Sequence, residues 1–251
     1  MAEALDIKEF GYRYIPGPFQ YSAGVAALSG FRIERLRFLE PVPLEAGFGR
    51  IERYLREAGL PLTGFCACEL RSPAPFTDEG FKTFNRLYVG TLARWGIVKG
   101  EANPVARSNV CPAIDPPAVP SFHAFSIAVP SSDAMKSFVI AGSGEAREGQ
   151  GLYAERTVRY RDTSPAAMRE KAVFVLREME RRLSLFSANW ADTTATQVYT
   201  VHELQHFLAD EIVRRKAARH GLTWHFARPP VIDLEYEMDC RGVLIERVLA
   251  G

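Results

Sequence analysis

The sequence predicts an α+β fold of two tandem units, each a mainly antiparallel sheet covered by two helices on one face. Three observations predict it. One order of strand-like and helix-like segments occurs twice, at spacings of roughly 120 residues, the mark of a duplicated unit. Helical periodicity is confined to segments near 46–58, 77–95, 164–184 and 203–220, with apolar strand-like runs between them. A polar, Pro- and Ser-rich seam at 130–134 divides the chain into units 1–130 and 131–251.

In the first unit a short apolar run ends in the small residues of Tyr21-Ser22-Ala23-Gly24. The helix at 46–58 is followed by an apolar strand at 64–70. Thr77 offers an N-cap oxygen to a helix carrying Phe81, Phe84, Leu87, Tyr88 and Leu92, with Asp78 and Glu79 near its positive end. Segment 111–120 holds four prolines and reads as a loop, and a strand at 122–129 closes the unit. The second unit opens with the strand Phe138-Val139-Ile140-Ala141-Gly142-Ser143-Gly144. Asp162, Thr163 and Ser164 offer N-cap oxygens, and Pro165 suits the first turn of the next helix. Met168, Ala172, Val175, Leu176, Met179 and Leu183 form one stripe of that helix, opposed by Arg169, Glu170, Glu178 and Arg181. A strand at 193–201 and a helix at 203–220 follow. Alternation at 232–239 predicts a half-buried strand, which Gly242 turns into a last strand at 243–249. One sheet face in each unit is left without helices, and such a face is usually buried in an oligomer, so self-association is expected.

At 251 residues the chain suits one large domain or two of about 120 residues each. Its 31 basic and 30 acidic residues nearly cancel, which argues against nucleic acid or an anionic membrane as an obligatory partner. No apolar stretch approaches the ~20 residues a bilayer requires, and residues 1–10 lack an apolar signal-peptide core. Only Cys66 and Cys68, of four cysteines, lie close together, so a cytoplasmic protein with reduced thiols is expected.

His202-Glu203-Leu204-Gln205-His206 matches the H-E-x-x-H zinc pattern. That pattern needs both histidines well inside a helix and a later third ligand. Here His202 falls at a strand-to-helix turn, and the corresponding place in the first unit, 72–77, has no histidine. No metal is therefore expected; His202 reads as a neighbour of a helix cap and His206 as a surface residue. Cys66 and Cys68 share one face of a strand with no second pair to complete a zinc site, and read as buried small hydrophobes. Ser143 lies in Gly-Ser-Gly-Glu rather than a hydrolase elbow, and its glycines suit a bend where a ligand or neighbouring chain approaches. Arg107 is different. It sits among apolar residues in Pro104-Val105-Ala106-Arg107-Ser108-Asn109-Val110, on a probable strand. A guanidinium cannot shed its charge, so it needs a carboxylate, either from a ligand or from the protein, where Glu69 or Glu235 would serve.

Tyr21-Ser22-Ala23-Gly24, the helix ending Leu55-Arg56-Glu57-Ala58-Gly59, the helix reading Phe81-Lys82-Thr83-Phe84-Asn85-Arg86-Leu87-Tyr88 and the strand Pro104-Val105-Ala106-Arg107-Ser108 stand in one order. That order resembles the landmarks of the RidA/YjgF family. Gly142-Ser143-Gly144, Gln197-Val198-Tyr199-Thr200 and Leu234-Glu235-Tyr236-Glu237-Met238 resemble the same landmarks a second time. The resemblance implies two divergent RidA-like units of chorismate-mutase-like fold in one chain, and a trimer with ligand sites in the clefts between units. It further implies a hydrolase without metal or organic cofactor that deaminates a carboxylated enamine or imine, of the 2-aminomuconate or 2-imino acid type.

Carried over residue by residue, Arg107 clamps the substrate carboxylate, and Tyr21 and Ser22 line the catalytic pocket. Asn109 replaces the family's usual cysteine and joins Ser143, Arg228 and Glu235 as substrate-binding residues. The second unit departs further: Thr223-Trp224-His225-Phe226 stands where Pro-Ala-Arg-Ser is expected, with Arg228 as a shifted substitute. Arg228 or Arg71 is the candidate for a second substrate carboxylate. Two other readings stand beside this one, a chorismatase-like hydrolase and a non-catalytic small-molecule-binding protein of the same fold.

Overall fold

The computed structural model describes residues 3–132, 135–149 and 151–250; Asp133 and Ala134, part of the expected seam, lie outside the described residues. The strands and α-helices are, in chain order, β1 (Leu5–Ile7), β2 (Tyr12–Ile15), β3 (Gly24–Ala27), β4 (Phe31–Pro43), α1 (Leu44–Glu57), β5 (Phe65–Arg71), α2 (Asp78–Arg94), β6 (Ala106–Pro112) and β7 (Ser121–Pro130). There follow β8 (Phe138–Gly144), α3 (Tyr153–Arg156), α4 (Pro165–Leu185), β9 (Ala195–Tyr199), α5 (Gln205–Phe207), β10 (Thr223–His225), β11 (Ala227–Arg228), β12 (Glu237–Gly242) and β13 (Glu246–Leu249).

The strands form a six-stranded sheet, β11-β6-β5-β7-β4-β13, and a seven-stranded sheet, β1-β2-β3-β8-β12-β9-β10. Both contain one plan. The run β4-α1-β5-α2-β6-β7 lies in the order β6-β5-β7-β4, and β8-α4-β9-α5-β10-β12 lies in the order β10-β9-β12-β8. In each run the second and third strands pair in parallel and the other neighbours are antiparallel. Sheet membership crosses the 130/131 division: β3 joins β8, and β13 runs parallel to β4.

The helices form where the sequence places caps and stripes. Thr77 Oγ1 accepts the Gly80 N–H at 3.1 Å to start α2, and Ser164 Oγ accepts the Ala167 N–H at 3.3 Å to start α4. The aromatic core of the six-stranded sheet centres on Phe48, whose ring meets Phe122 edge-on at 4.9 Å and Trp95 at 5.2 Å. The second core sets the α4 stripe against Val198, Met238 and Cys240.

Two expected elements differ. The expected helix at 203–220 is one short α-turn followed by a π-helix, Leu208–Val213. The Arg214 N–H donates to the Ala209 carbonyl and the Ala217 N–H to the Ile212 carbonyl, each five residues back, the π rather than the α pattern. The expected strand 232–239 pairs only from Glu237, because the Glu145 carboxylate takes the Glu235 and Tyr236 N–H groups at 2.7 and 3.1 Å in place of a sheet partner. That strand then runs on to Gly242 instead of turning back into a hairpin.

The helix-free faces of the two sheets turn toward each other across a polar seam. Asp239 of β12 accepts from Ser108 Oγ of β6 at 2.5 Å, and also from Gln197 Nε2 and the Tyr199 hydroxyl. Arg35 grips Glu69 through Nε and Nη2 at 2.6 and 2.9 Å, and the Arg71 guanidinium lies 5.5 Å over the Tyr199 ring. No helix among the described residues is long and apolar enough to cross a membrane.

Candidate active site

Alternation along β6 sends Ser108 into the inter-sheet seam and Arg107 to the opposite face, toward α2. There Phe81, Phe84 and Tyr88 share one face of the helix, and the Arg107 guanidinium lies 5.7, 5.7 and 4.9 Å from their ring centres. Tyr21 adds a fourth ring at 5.2 Å. Four π faces hold the cation by quadrupole attraction but give it no hydrogen-bond acceptor. Arg107 is 3% exposed, its Nη1 is buried without a partner, and no carboxylate pairs with it among the described residues. The two protein partners the sequence offered are engaged elsewhere, Glu69 by Arg35 and Glu235 by Arg228 at 2.5 Å and by His202 at 2.9 Å. A buried guanidinium without a counter-ion is costly, and a ligand carboxylate removes that cost.

Arg107 opens on a cavity of about 830 Å³ whose walls come from both halves of the chain. One wall holds Tyr21, Phe81 and Asn109, and the other Ser143, Arg182 and Glu237. Gly142 permits this approach of the walls, since a methyl group there would overlap Glu237 Oε1 and press on the Ser108 backbone. Glu237 is 4% exposed, and its carboxyl forms no ion pair or hydrogen bond among the described residues. Burial, together with the charges of Asp239 and Glu145, pushes its carboxyl well above the ordinary carboxylate range, against the opposing charges of Arg107 and Arg71. Arg182 on the same wall is already neutralised, pairing with Glu178 at 2.7 Å and Glu148 at 3.0 Å while donating to the Ala141 carbonyl.

Of the residues singled out in the sequence, Arg107, Tyr21, Asn109 and Ser143 line the cavity. Asn109 accepts a hydrogen bond from Ser72 at 2.9 Å and leaves its amide nitrogen unpartnered, while Ser143 Oγ receives Arg182 at 3.4 Å. Ser22 does not line it. Its hydroxyl donates to the Pro104 and Gly24 carbonyls, and its N–H to Val105, so it fastens the segment carrying Tyr21 to the start of β6. Arg228 and Glu235 pair with each other outside the cavity lining, and Arg71 lies in the inter-sheet seam. Glu237 is the residue that reading the sequence missed. Its signal was the Glu235-Tyr236-Glu237 alternation, which offers two acids and does not say which one faces inward.

The other motifs lead away from the cavity. His202 turns to Glu235 and His206 to the Pro165 carbonyl at 2.9 Å, so the two imidazoles face different partners. Cys66 and Cys68 are both buried; burial pushes the Cys68 thiol up to about 12, and its sulfur meets the Tyr88 hydroxyl at 3.3 Å.

Comparison with known proteins gives the following. The profile of a family described as "2-aminomuconate deaminase CnbZ" matches residues 4–247. A 2-amino-5-chloromuconate deaminase of Comamonas testosteroni is 53% identical over 251 residues, 99% of this chain and 100% of that protein. Among solved structures, a chorismatase superposes with a TM-score of 0.49 at 12% identity, over 88% of this chain and 77% of that one. Escherichia coli TdcF with bound serine gives a TM-score of 0.31 at 14% identity, over 43% of this chain and 80% of that one.

Proposed function

The chain belongs to the 2-aminomuconate deaminase CnbZ family and is a deaminase of aminomuconate-type substrates; on that premise we propose that Arg107 anchors the substrate carboxylate and Glu237 moves the protons. The reaction replaces an enamine C–NH2 by a ketone, consuming one water and releasing ammonia. The single observation that carries the assignment is the buried Arg107 guanidinium, caged by four rings and without a counter-ion. A bidentate carboxylate completes it, and fixes the adjacent C–N carbon at one place in the cavity.

Glu237 supplies the chemistry beside that anchor. Held protonated by burial, it delivers its proton to the enamine carbon β to nitrogen, which makes the C=N carbon electrophilic. The resulting carboxylate takes a proton from the water as the oxygen attacks that carbon. The same proton then goes to the departing nitrogen, and as the C–N bond breaks the carbinol O–H proton returns to the Glu237 carboxylate, leaving the keto product and ammonia. Glu237 ends the cycle protonated, as it began. Orientation by Arg107 is worth several kcal/mol at most, which suits a substrate whose imine tautomer is already reactive.

The repeated strand order of the two sheets supports reading the chain as two RidA-like units that arose by duplication. In that reading the cleft between two subunits of a RidA trimer has become a cleft between two halves of one chain.

The test is Arg107→Ala. Deamination of 2-aminomuconate falls by ~10²-fold or more, about 3 kcal/mol, while the melting temperature stays near that of the wild type. Arg107→Lys recovers little, because a point charge cannot reproduce two parallel hydrogen bonds. Full activity in a well-folded Ala variant would remove Arg107 from the mechanism.

A further inference from the structure

We propose that Arg156 forms a second carboxylate subsite in the same cavity, so that the enzyme selects a dicarboxylate over a monocarboxylate of equal length. The proposal rests on the reading that Arg107 anchors the carboxylate beside the reacting carbon.

Five cationic side chains line the cavity, Lys82, Arg107, Arg147, Arg156 and Arg182. Arg182 is neutralised by Glu178 and Glu148, and Lys82 and Arg147 stand exposed on the rim. Arg156 is half-buried, forms no ion pair with a carboxylate among the described residues, and buries its Nε without a hydrogen-bond partner. It thus repeats the condition of Arg107, a guanidinium taken partly out of water with its charge uncompensated.

Arg156 is also held in place. Nη1 donates to the Arg147 carbonyl at 2.6 Å, and the guanidinium lies 4.5 Å over the Tyr153 ring. The turn carrying both residues is pinned at each end. The Tyr153 N–H meets Asp78 of α2 at 3.3 Å, and Thr157 Oγ1 donates to the Tyr153 carbonyl at 2.7 Å. A fixed guanidinium binds an anion with little further loss of side-chain freedom. Glu155, the acid next in the chain, is exposed to solvent.

Tyr153, Arg156 and Arg107 line the same cavity. The Tyr153 hydroxyl lies in the field of both Arg156 and Arg107, which partly offset the effect of its burial. Two fixed cations on one cavity match a conjugated chain with a carboxylate at each end, because such a chain is itself stiff and holds its ends apart. Arg107 fixes the end that reacts and Arg156 the end that does not. Binding at the remote end then sets affinity rather than the rate of the chemical step.

The experiment measures 2-aminomuconate turnover by Arg156→Ala and Arg156→Lys, and inhibition by trans,trans-muconate and by sorbate, the same six-carbon diene with one carboxylate. Arg156→Ala is expected to raise KM about tenfold or more with kcat within about threefold of the wild type. The wild type is expected to bind muconate at least about tenfold more tightly than sorbate, and Arg156→Ala to lose that preference. Arg156→Lys keeps part of it. A folded Arg156→Ala that retains the muconate preference overturns the subsite, as does a loss in kcat with KM unchanged. If Arg107→Ala also keeps full turnover, the anchor itself fails; if only Arg156→Ala is silent, the anchor stands and the second subsite falls.

Discussion

At the scale of single residues, Glu237 makes a prediction that separates chemistry from stability. Burial raises its folded-state pKa above the unfolded value, so the sign is that of a destabilising acid. Below about pH 4.3, the ordinary glutamate value, both states are protonated and the residue contributes nothing. As the pH rises, the unfolded chain releases the proton and the folded protein keeps it, so a penalty grows. Glu237→Gln carries no such penalty. It is expected to melt at or above the wild-type temperature at pH 7, to lose that advantage near pH 4, and to lose deaminase activity by ~10²-fold or more. Melting curves at both pH values beside steady-state rates check it, and a fully active Gln variant would exclude Glu237 as proton carrier. The sequence made Arg107 legible because a charge in an apolar strand is an anomaly with few explanations. It did not distinguish Glu235 from Glu237, because neighbouring acids on an alternating segment differ only in register. That register is set by Glu145, 90 or more residues away in sequence.

At the scale of elements, Glu145 and Lys171 form a fully buried ion pair, 3.1 Å apart, that joins the end of β8 to α4. Lys171 also donates to the Val158 carbonyl, and Glu145 holds the two N–H groups that precede Glu237. Removing one charge strands the other. Glu145→Gln is expected to cost ~3–5 kcal/mol in denaturant unfolding, and adding Lys171→Met to recover much of that loss. A double variant no more stable than Glu145→Gln alone would show that the pair's charges are not what the single change disturbs. Helices were readable where a capping residue met an apolar stripe at helical spacing, as at Thr77 and Ser164. The segment after His202 misled because its apolar residues also fit a helical count, while its Arg214 and Ala217 N–H groups bond five residues back in the π pattern.

At the scale of the whole molecule, the polar seam between the sheets makes stability depend on acid. His123 of β7 and His225 of β10 are pushed down to about 3 and about 4, by burial first and then by the Arg71 charge. Burial works against Glu69, but Arg35 holds its carboxyl well below the ordinary range. Between about pH 6.5 and 4 the unfolded chain takes up protons at both histidines that the folded protein refuses, so these groups make stability fall as pH falls. Glu69 adds to the loss below about pH 4.5, while Glu237 and Asp239, raised by burial, slope the other way. His123→Gln with His225→Gln is expected to flatten the decline of melting temperature from pH 7 to pH 4; an unchanged decline would locate the acid sensitivity elsewhere. The expectation of self-association rested on a sheet face free of helices, and in each sheet that face turns to the other sheet within the chain. The exchange of strands between sheets has a further consequence for biosynthesis. Arg35 in β4 pairs with Glu246 in β13, and Val25 in β3 with Val139 in β8. On the ribosome, β4 therefore waits with an open edge until almost the whole chain has been made. Until then that edge of the nascent first half is a template for pairing with a neighbouring strand.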